Sequence, residues 1–514
     1  MAGRKLFAAI DVGSHEIQMQ IAEIRRGELP LTIETIHRTL PIGTDTYVRG
    51  QISQPVLDTC IDVLKGFSDQ MKTFRVSGYR AVATSAFREA SNRAFAIDQI
   101  RRSCDMEIEI LSNAEERACH ILAASLRMPD FEDLIRQGTL IVDIGAGSIQ
   151  VTAYDRRQFL FSQNMLLGSL RIRELLADLE QRTIDFARLM EEYISSDLDY
   201  YHQLEPKDIQ YKNLIVLGGG MPYLKKMAGR NPGEPLNLSV RQFDQIYQQL
   251  LLSRPLEMSM EKDIPAEHAS LLLPTAIIIR KFTRYTGIHE FLMPATTLCD
   301  GILAEHAQKK LGYVPEHDQT QDVLSACRYL ARRFNNDEPH TDFVETRVMQ
   351  LFDGTVKLHR LGARQRLLLQ AAAILHDAGK YINMSKHNIR TYNIIMATEF
   401  VGLTHHERDI VAWTGRLHSG RVDLDDGGLA DLPLDDRMVV AKLAALLRLA
   451  DALDNGHQQK ISELVVLLDD GAMNLTITSR QDVTLELWAF EQKAQLFEKL
   501  FGYPVRIKIK RAAL

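Results

Sequence analysis

Two aspartates, Asp11 and Asp143, each stand at the end of an apolar run and beside a glycine turn. A carboxylate buried in that position is costly unless it is paired, protonated or engaged by a metal or ligand. Each therefore either caps its own turn or supplies hard oxygen ligands to Mg²⁺ beside a phosphate. The turns lack the GxxxxGK[ST] pattern, so phosphate contact falls to their backbone N–H groups. Aligned on the aspartates, Asp11-Val12-Gly13-Ser14-His15-Glu16-Ile17-Gln18 and Asp143-Ile144-Gly145-Ala146-Gly147-Ser148-Ile149-Gln150 share aspartate, glycine, isoleucine and glutamine at equal offsets, 132 residues apart. Two similar lobes bracketing one ligand explain the match, with chance similarity of short turns as the alternative. A third glycine turn, Gly218-Gly219-Gly220, follows the apolar run Leu214 to Leu217.

Ser112 and Glu115 have the spacing of a capping box, which gives Glu115 a structural task at a helix start. Glu116, one position on, points elsewhere and is either solvent-facing or free to act on a ligand. As a general base it would take a proton from water attacking a terminal phosphorus. Arg88 and Arg93, and also Arg171 and Arg173, follow strand-like runs, and a guanidinium fork suits phosphoryl oxygens. Arg88, beside the Thr84 turn, is the best candidate clamp.

The elements that must position these groups alternate between strand and helix. Leu6 to Asp11, Ile17 to Ile24, Leu31 to Arg38, Val76 to Ala83 and Met106 to Leu111 read as strands. Pro55 to Met71, Ala86 to Cys104 and Ala114 to Leu126 read as helices, and the strand pattern returns at Leu140 to Tyr154. This is an α/β arrangement. Lys309 to Gln321 is polar, with Gly312 and Pro315, and marks a boundary. Beyond it the pattern is helical until Ile461 to Leu468, Met473 to Thr478 and Val483 to Trp488, which read as strands, with a helix around Gln492 to Leu500 and a last strand at Val505 to Ile509.

The motifs Ala9-Ile10-Asp11-Val12-Gly13-Ser14, Val82-Ala83-Thr84-Ser85-Ala86-Phe87-Arg88, Ile110-Leu111-Ser112-Asn113-Ala114-Glu115-Glu116 and Val142-Asp143-Ile144-Gly145-Ala146-Gly147-Ser148 occur in this order. In order and spacing they resemble those of the exopolyphosphatase and guanosine pentaphosphate phosphohydrolase family, and the resemblance extends over nearly the whole chain. It implies duplicated actin-like (ribonuclease H-like) ATPase lobes at 1–126 and 127–310, a helical HD-like domain at 311–458 and a small α+β domain at 459–514. By the same resemblance Glu116 is the catalytic base and Asp143 holds metal or water; Arg88, the candidate clamp, joins them in the expected catalytic set. Asp11, Gly13, Ser14, Gly145, Ala146, Gly147, Ser148, Gly219 and Gly220 are then phosphate-side elements, with Asp11 and Asp143 on Mg²⁺. The chain departs from the family pattern at His15, Ala146, Gln150 and Met221. Gln150 stands where a glutamate is usual, and Ala146 adds a methyl that disfavours positive φ.

In the helical region His340, His376-Asp377 and Asp451 form an H…HD…D set, and the runs around them resemble HD-domain helices. Residues of this kind are either satisfied within the core or hold a second divalent ion, with His387, His406 and His418 as candidates to join them. Asn388 and Arg390 stand where relatives often have histidine. Arg328, Arg332, Arg333, Arg360, Arg364, Arg366, Lys380, Lys386, Arg390 and Arg416 make the region a candidate basic track for a chain of phosphates.

With 514 residues, 61 basic and 67 acidic side chains and a formal charge of -6, the chain is a multidomain protein with no global attraction for nucleic acid. Its apolar runs are too short for a signal peptide or a membrane span, and five scattered cysteines without a CxxC pair fit a reduced cytoplasmic protein. The expected activity is hydrolysis of terminal phosphate from inorganic polyphosphate. Guanosine pentaphosphate 5′-phosphohydrolysis is the alternative substrate, a non-catalytic polyphosphate or nucleotide sensor the alternative class, and an actin-like sugar or acid kinase a third reading. The resemblance also implies a homodimer.

Overall fold

The computed structural model describes residues 5–205, 209–425, 427–469 and 471–511. The chain forms two compact units, residues 1–319 and 320–514, which part inside the polar stretch Lys309 to Gln321.

In the first unit, strand β1 (Lys5–Val12) lies between β2 (Glu16–Ile24), antiparallel to it, and β4 (Gly78–Ala83), parallel to it. With β3 (Leu31–Thr39) and β5 (Ile108–Ile110) the sheet order is β3-β2-β1-β4-β5. A central strand covered on both faces needs a continuous apolar run, and Phe7 to Ile10 supplies it. Alternate side chains serve opposite faces. Ala8, Ile10 and Val12 pack with Leu57, Leu64 and Phe67 of the helix Gln54–Phe74, whereas Phe7 and Ala9 pack with Leu298, Ile302 and Leu303 of the helix Leu298–Leu311. That last helix falls mostly within the stretch 127–310 expected to form the second lobe, yet its apolar face covers the first sheet.

A second sheet is built from β6 (Thr139–Ile144), β7 (Ile149–Asp155), β8 (Gln158–Met165), β9 (Asn213–Leu217), β10 (Leu236–Ser239) and β11 (Glu290–Met293), in the order β10-β11-β9-β6-β7-β8. Its centre repeats the first sheet's local plan. Asp11 is opposite Gln18 on the antiparallel side and Val82 on the parallel side, and Asp143 is opposite Gln150 and Leu217 in the same way. The shared offsets in the sequence are therefore a shared register.

The helix expected from Ala86 to Cys104 is two helices, Ser85–Glu89 and Arg93–Cys104. Asn92 interrupts it because its side-chain amide bonds the backbone N–H and C=O of Ile52. All five cysteines are buried and free.

The second unit is largely helical, with Glu338–Gly354, Ala363–Leu375, His387–Met396, His405–Leu417 and Leu434–Ala452 its principal helices. A sheet of β12 (Ile461–Asp469), β13 (Ala472–Ser479) and β14 (Val505–Arg511) belongs to the same compact unit. The expected strand Val483 to Trp488 is instead the start of one helix, Thr484–Phe501. Burial of Glu486, Ala489, Phe490, Ala494 and Phe497 at helical spacing overrides the β-propensity of its first turn, and Asp482 accepts hydrogen bonds from the Thr484 N–H and hydroxyl. Among the described residues no helix is long and apolar enough to cross a membrane.

Candidate active site

The turns after β1 and β6 are closed by equivalent hydrogen bonds, Gly13 N–H to Glu16 O and Gly145 N–H to Ser148 O, both 3.0 Å. Neither Gly145, Ala146 nor Gly147 has positive φ, so the methyl of Ala146 is accommodated without the backbone strain its position suggests. Gly218 in the third turn is different. Its φ is +119°, and an added Cβ would run into the Ile144 carbonyl.

Asp11 and Asp143 are both held inside the unit. Burial, followed by the charges of Glu116, Glu16 and Asp143, pushes the Asp11 carboxyl well above the usual range. Burial also raises Asp143, against the opposing effect of His120 and with a further push from Glu116. The two turn aspartates and Glu116 thus lie within one another's electrostatic field, in one place. Asp11 Oδ1 is buried without a hydrogen-bond partner, while Asp143 Oδ2 stands 3.4 Å from His120 Nε2.

Glu116 arrives from the helix Asn113–Arg127, whose start is the expected capping box. The Glu115 N–H donates to Ser112 Oγ at 3.1 Å, and Glu115 Oε2 accepts from the Ser112 N–H at 2.9 Å. Glu116 is thereby free of capping, and its Oε2 accepts from Arg88 Nη1 at 3.1 Å. The same Nη1 donates to the Leu111 carbonyl at 2.6 Å. Arg88 therefore orients Glu116 first, which the expectation of a simple phosphate clamp did not include. His120, one helical turn after Glu116, is absent from the sequence expectation, although its i,i+4 spacing places it on the same face.

The opposite side of the turns is a polar latch. Tyr47 donates to Ser14 Oγ at 2.7 Å, Ser14 and Ser85 hydroxyls are 2.8 Å apart, and the Ala86 N–H donates to Ser14 Oγ at 3.1 Å. The Ser14 hydroxyl is spent here, leaving backbone as what it can offer a phosphate. Arg171 is likewise committed, with Nε donating to Gly147 O at 2.7 Å, Nη2 to Glu89 Oε2 at 2.6 Å, and its guanidinium over the Tyr47 ring. Nothing in the sequence singles out Tyr47 or Glu89. His15 is buried edge-on to the His268 ring, and burial followed by His268 lowers it to about 4. The Gln150 side chain is buried with neither amide atom bonded.

In the second unit His340, His376 and Asp377 form one group able to hold a divalent ion, and Asp377, His387 and His418 form another. Asp451 joins the first, its Oδ1 3.4 Å from His340 Nε2. Burial opposes protonation of His340, but hydrogen bonds with Asp451 and Asp454 raise it to about 9. His406 stays outside and pairs with Asp436. Of the expected basic track, Arg328, Arg364 and Arg366 are neutralised by Glu345, Glu407 and Asp353.

Comparison with known proteins identifies the family. Residues 20–310 match the model of the Ppx/GppA phosphatase family, and residues 324–495 match the model of Ppx/GppA phosphatase, domain III. The crystal structure of an exopolyphosphatase from Cytophaga hutchinsonii ATCC 33406 superposes with a TM-score of 0.52 at 20% identity, over 60% of this chain and 99% of its own. That of an exopolyphosphatase-like protein gives 0.53 at 19%, again over 60% and 99%. At those identities the likeness is one of fold, an actin-like fold in the first unit, followed here by a largely helical domain III. The family models together reach across both units, and the chain belongs to the Ppx/GppA phosphatase family.

Proposed function

We propose that the first unit hydrolyses the terminal phosphoanhydride of inorganic polyphosphate by direct attack of water. The observation that carries this reading is the convergence of Asp11, Asp143 and Glu116 in one buried field beside glycine turns of the same register. Like charges so placed repel, and a hard divalent cation relieves them. The donor set fits Mg²⁺, since it is carboxylate oxygen and includes the orphaned Asp11 Oδ1. Asp11 and Asp143 would hold the ion, which when bound supplies charge neutralisation at the phosphoryl oxygens.

The remaining work belongs to the chain. Glu116, oriented by Arg88, accepts the proton of the attacking water as the new P–O bond forms. The bridging P–O bond breaks and its electrons leave with the shortened polyphosphate, whose end is stabilised by N–H groups of the Gly13–Ser14, Gly145–Ser148 and Gly219–Gly220 turns. His120 positions Asp143. The repeated register supports two duplicated lobes, and the His/Asp cluster supports an HD-like character for the helical domain.

Orthophosphate release from long-chain polyphosphate and from guanosine pentaphosphate, measured side by side, tests the assignment. Glu116→Gln should lower kcat by about 10²–10⁴-fold, the usual contribution of a positioned general base. Undiminished turnover in that variant would remove Glu116 as the base, and faster release from guanosine pentaphosphate would replace the substrate. Saturable binding without release under Mg²⁺ would instead favour a sensor.

A further inference from the structure

The strand partners of the two turn aspartates are both glutamines. Gln18 lies opposite Asp11 and Gln150 opposite Asp143, so each amide shares a sheet face with its carboxylate, at a Cβ separation of about 4.5–5.5 Å. Among the described residues, Gln150 Nε2 and Oε1 and Gln18 Nε2 are buried without a hydrogen-bond partner. Asn164, on the far side of Gln150 in β8, has an unpartnered acceptor in its Oδ1, and Gln150 does not take it. Gln20, the next residue of β2 on the same face, shows the contrast, because its Nε2 donates to Thr297 Oγ1 at 3.1 Å.

A buried amide left unpaired costs folding free energy, and an apolar side chain of the same length would avoid that cost. Packing therefore does not account for two such amides at equivalent places in two sheets. The neighbouring groups do. Asp11, Asp143 and Glu116 already press on one another as like charges. Another acid in this row would add to the repulsion, whereas an amide brings N–H donors and no charge. An ionised carboxylate only accepts hydrogen bonds, so the acids cannot bond a phosphoryl oxygen directly. The amides can, through charge-assisted hydrogen bonds.

We propose that Gln150 and Gln18 are a pair of neutral phosphate donors, each giving an Nε2–H to a non-bridging oxygen of the bound terminal phosphate, with Gln150 Oε1 accepting a hydrogen of the attacking water. The pair rests on the phosphate reading of the first unit and adds two substrate-contacting residues to it. Glu116 takes one proton of the water as the new P–O bond forms. The other hydrogen stays on that oxygen, and Gln150 fixes its direction without gaining or losing a proton. Gln150 acts on phosphate and water here, and the divalent cation is left to Asp11 and Asp143.

Calorimetric titration of the Mg²⁺-saturated full chain with orthophosphate, beside Mn²⁺ uptake read by electron paramagnetic resonance, tests the pair. Gln150→Met and Gln18→Met should each weaken orthophosphate binding by about 10–100-fold, the loss of one hydrogen bond to a charged group. The melting temperature without phosphate or metal should hold or rise, and Mn²⁺ uptake should stay at the wild-type value. Gln20→Met, on the same face but already committed to Thr297, should keep the wild-type affinity for orthophosphate. Unchanged affinity in either Gln150→Met or Gln18→Met, or a wild type that binds no orthophosphate, would overturn the pair. So would a drop in Mn²⁺ uptake in Gln150→Met, which would make Gln150 a metal ligand, or a drop in its ligand-free melting temperature, which would make it a packing residue. Should one methionine variant fail to fold, the other decides. Wild type that binds orthophosphate yet releases none from polyphosphate would refute the hydrolase reading and leave the amide pair standing.

Discussion

Gly147→Ala is the most informative single perturbation of the candidate active site. A Cβ at Gly147 would overlap the hydroxyls of Tyr47 and Ser85 and would stand 2.8 Å from Tyr47 Cζ. Carbon contacts settle at about 3.5–4.0 Å, so the Tyr47 ring must withdraw by about 0.7–1.2 Å. It cannot do so freely, because its hydroxyl bonds Ser14 and Ser85 and its face is covered by Arg171, which also grips the Gly147 carbonyl. Overpacking of this kind costs about 1–3 kcal/mol. For a unit of this size each kcal/mol lowers the melting temperature by about 1–2 °C. Moving the turn by about 1 Å should also lower turnover by about 10²-fold through misplaced phosphate donors. Thermal unfolding and orthophosphate release, on the same preparation, read both effects. Gly219→Ala is the internal control, since its Cβ would meet nothing within 4 Å and its φ is not positive, so the melting temperature should hold. If Gly147→Ala melted and turned over like wild type, the latch would not constrain the turn and the reasoning would fail.

Asp11→Asn should abolish phosphate release yet stabilise the metal-free protein. The raised Asp11 carboxyl binds its proton more tightly folded than unfolded, so its contribution is retained below the ordinary carboxylate pKa and lost as pH rises through the elevated value. The gain in melting temperature from Asp11→Asn should therefore grow from about pH 4 toward neutrality, and a constant difference across that range would contradict the buried, repelled carboxyl. Arg171→Met leaves Glu89 without the Nη2 donor that reaches both its carboxylate oxygens and frees the Gly147 carbonyl. Partial exposure of Glu89 tempers the loss to about 1–3 kcal/mol, and urea unfolding with an unchanged midpoint would show that the latch is dispensable.

Much of this was legible because it is local. The equal offsets of Asp11 to Gln18 and Asp143 to Gln150 span single hairpins, where register follows from a tight turn and period-two alternation. The capping box that separates Glu115 from Glu116 is arithmetic within one helical turn. Structure departs from local preference where distant packing overrides it, as in the single helix Thr484–Phe501 and the break at Asn92, whose side chain is claimed by Ile52.

The amino-acid order by itself determined the strands that carry Asp11 and Asp143, the turns beside them and the helix that presents Glu116. Sheet order and helix packing decided which of these groups meet. Arg171 reaches Glu89 across 82 residues, the helix Leu298–Leu311 returns to the first sheet, and Asp377 faces His340 and His376 with one oxygen and His387 and His418 with the other. Hydrogen-bond periodicity encodes structure over a few residues, whereas the encounter of separated side chains depends on how complete elements bury their apolar faces.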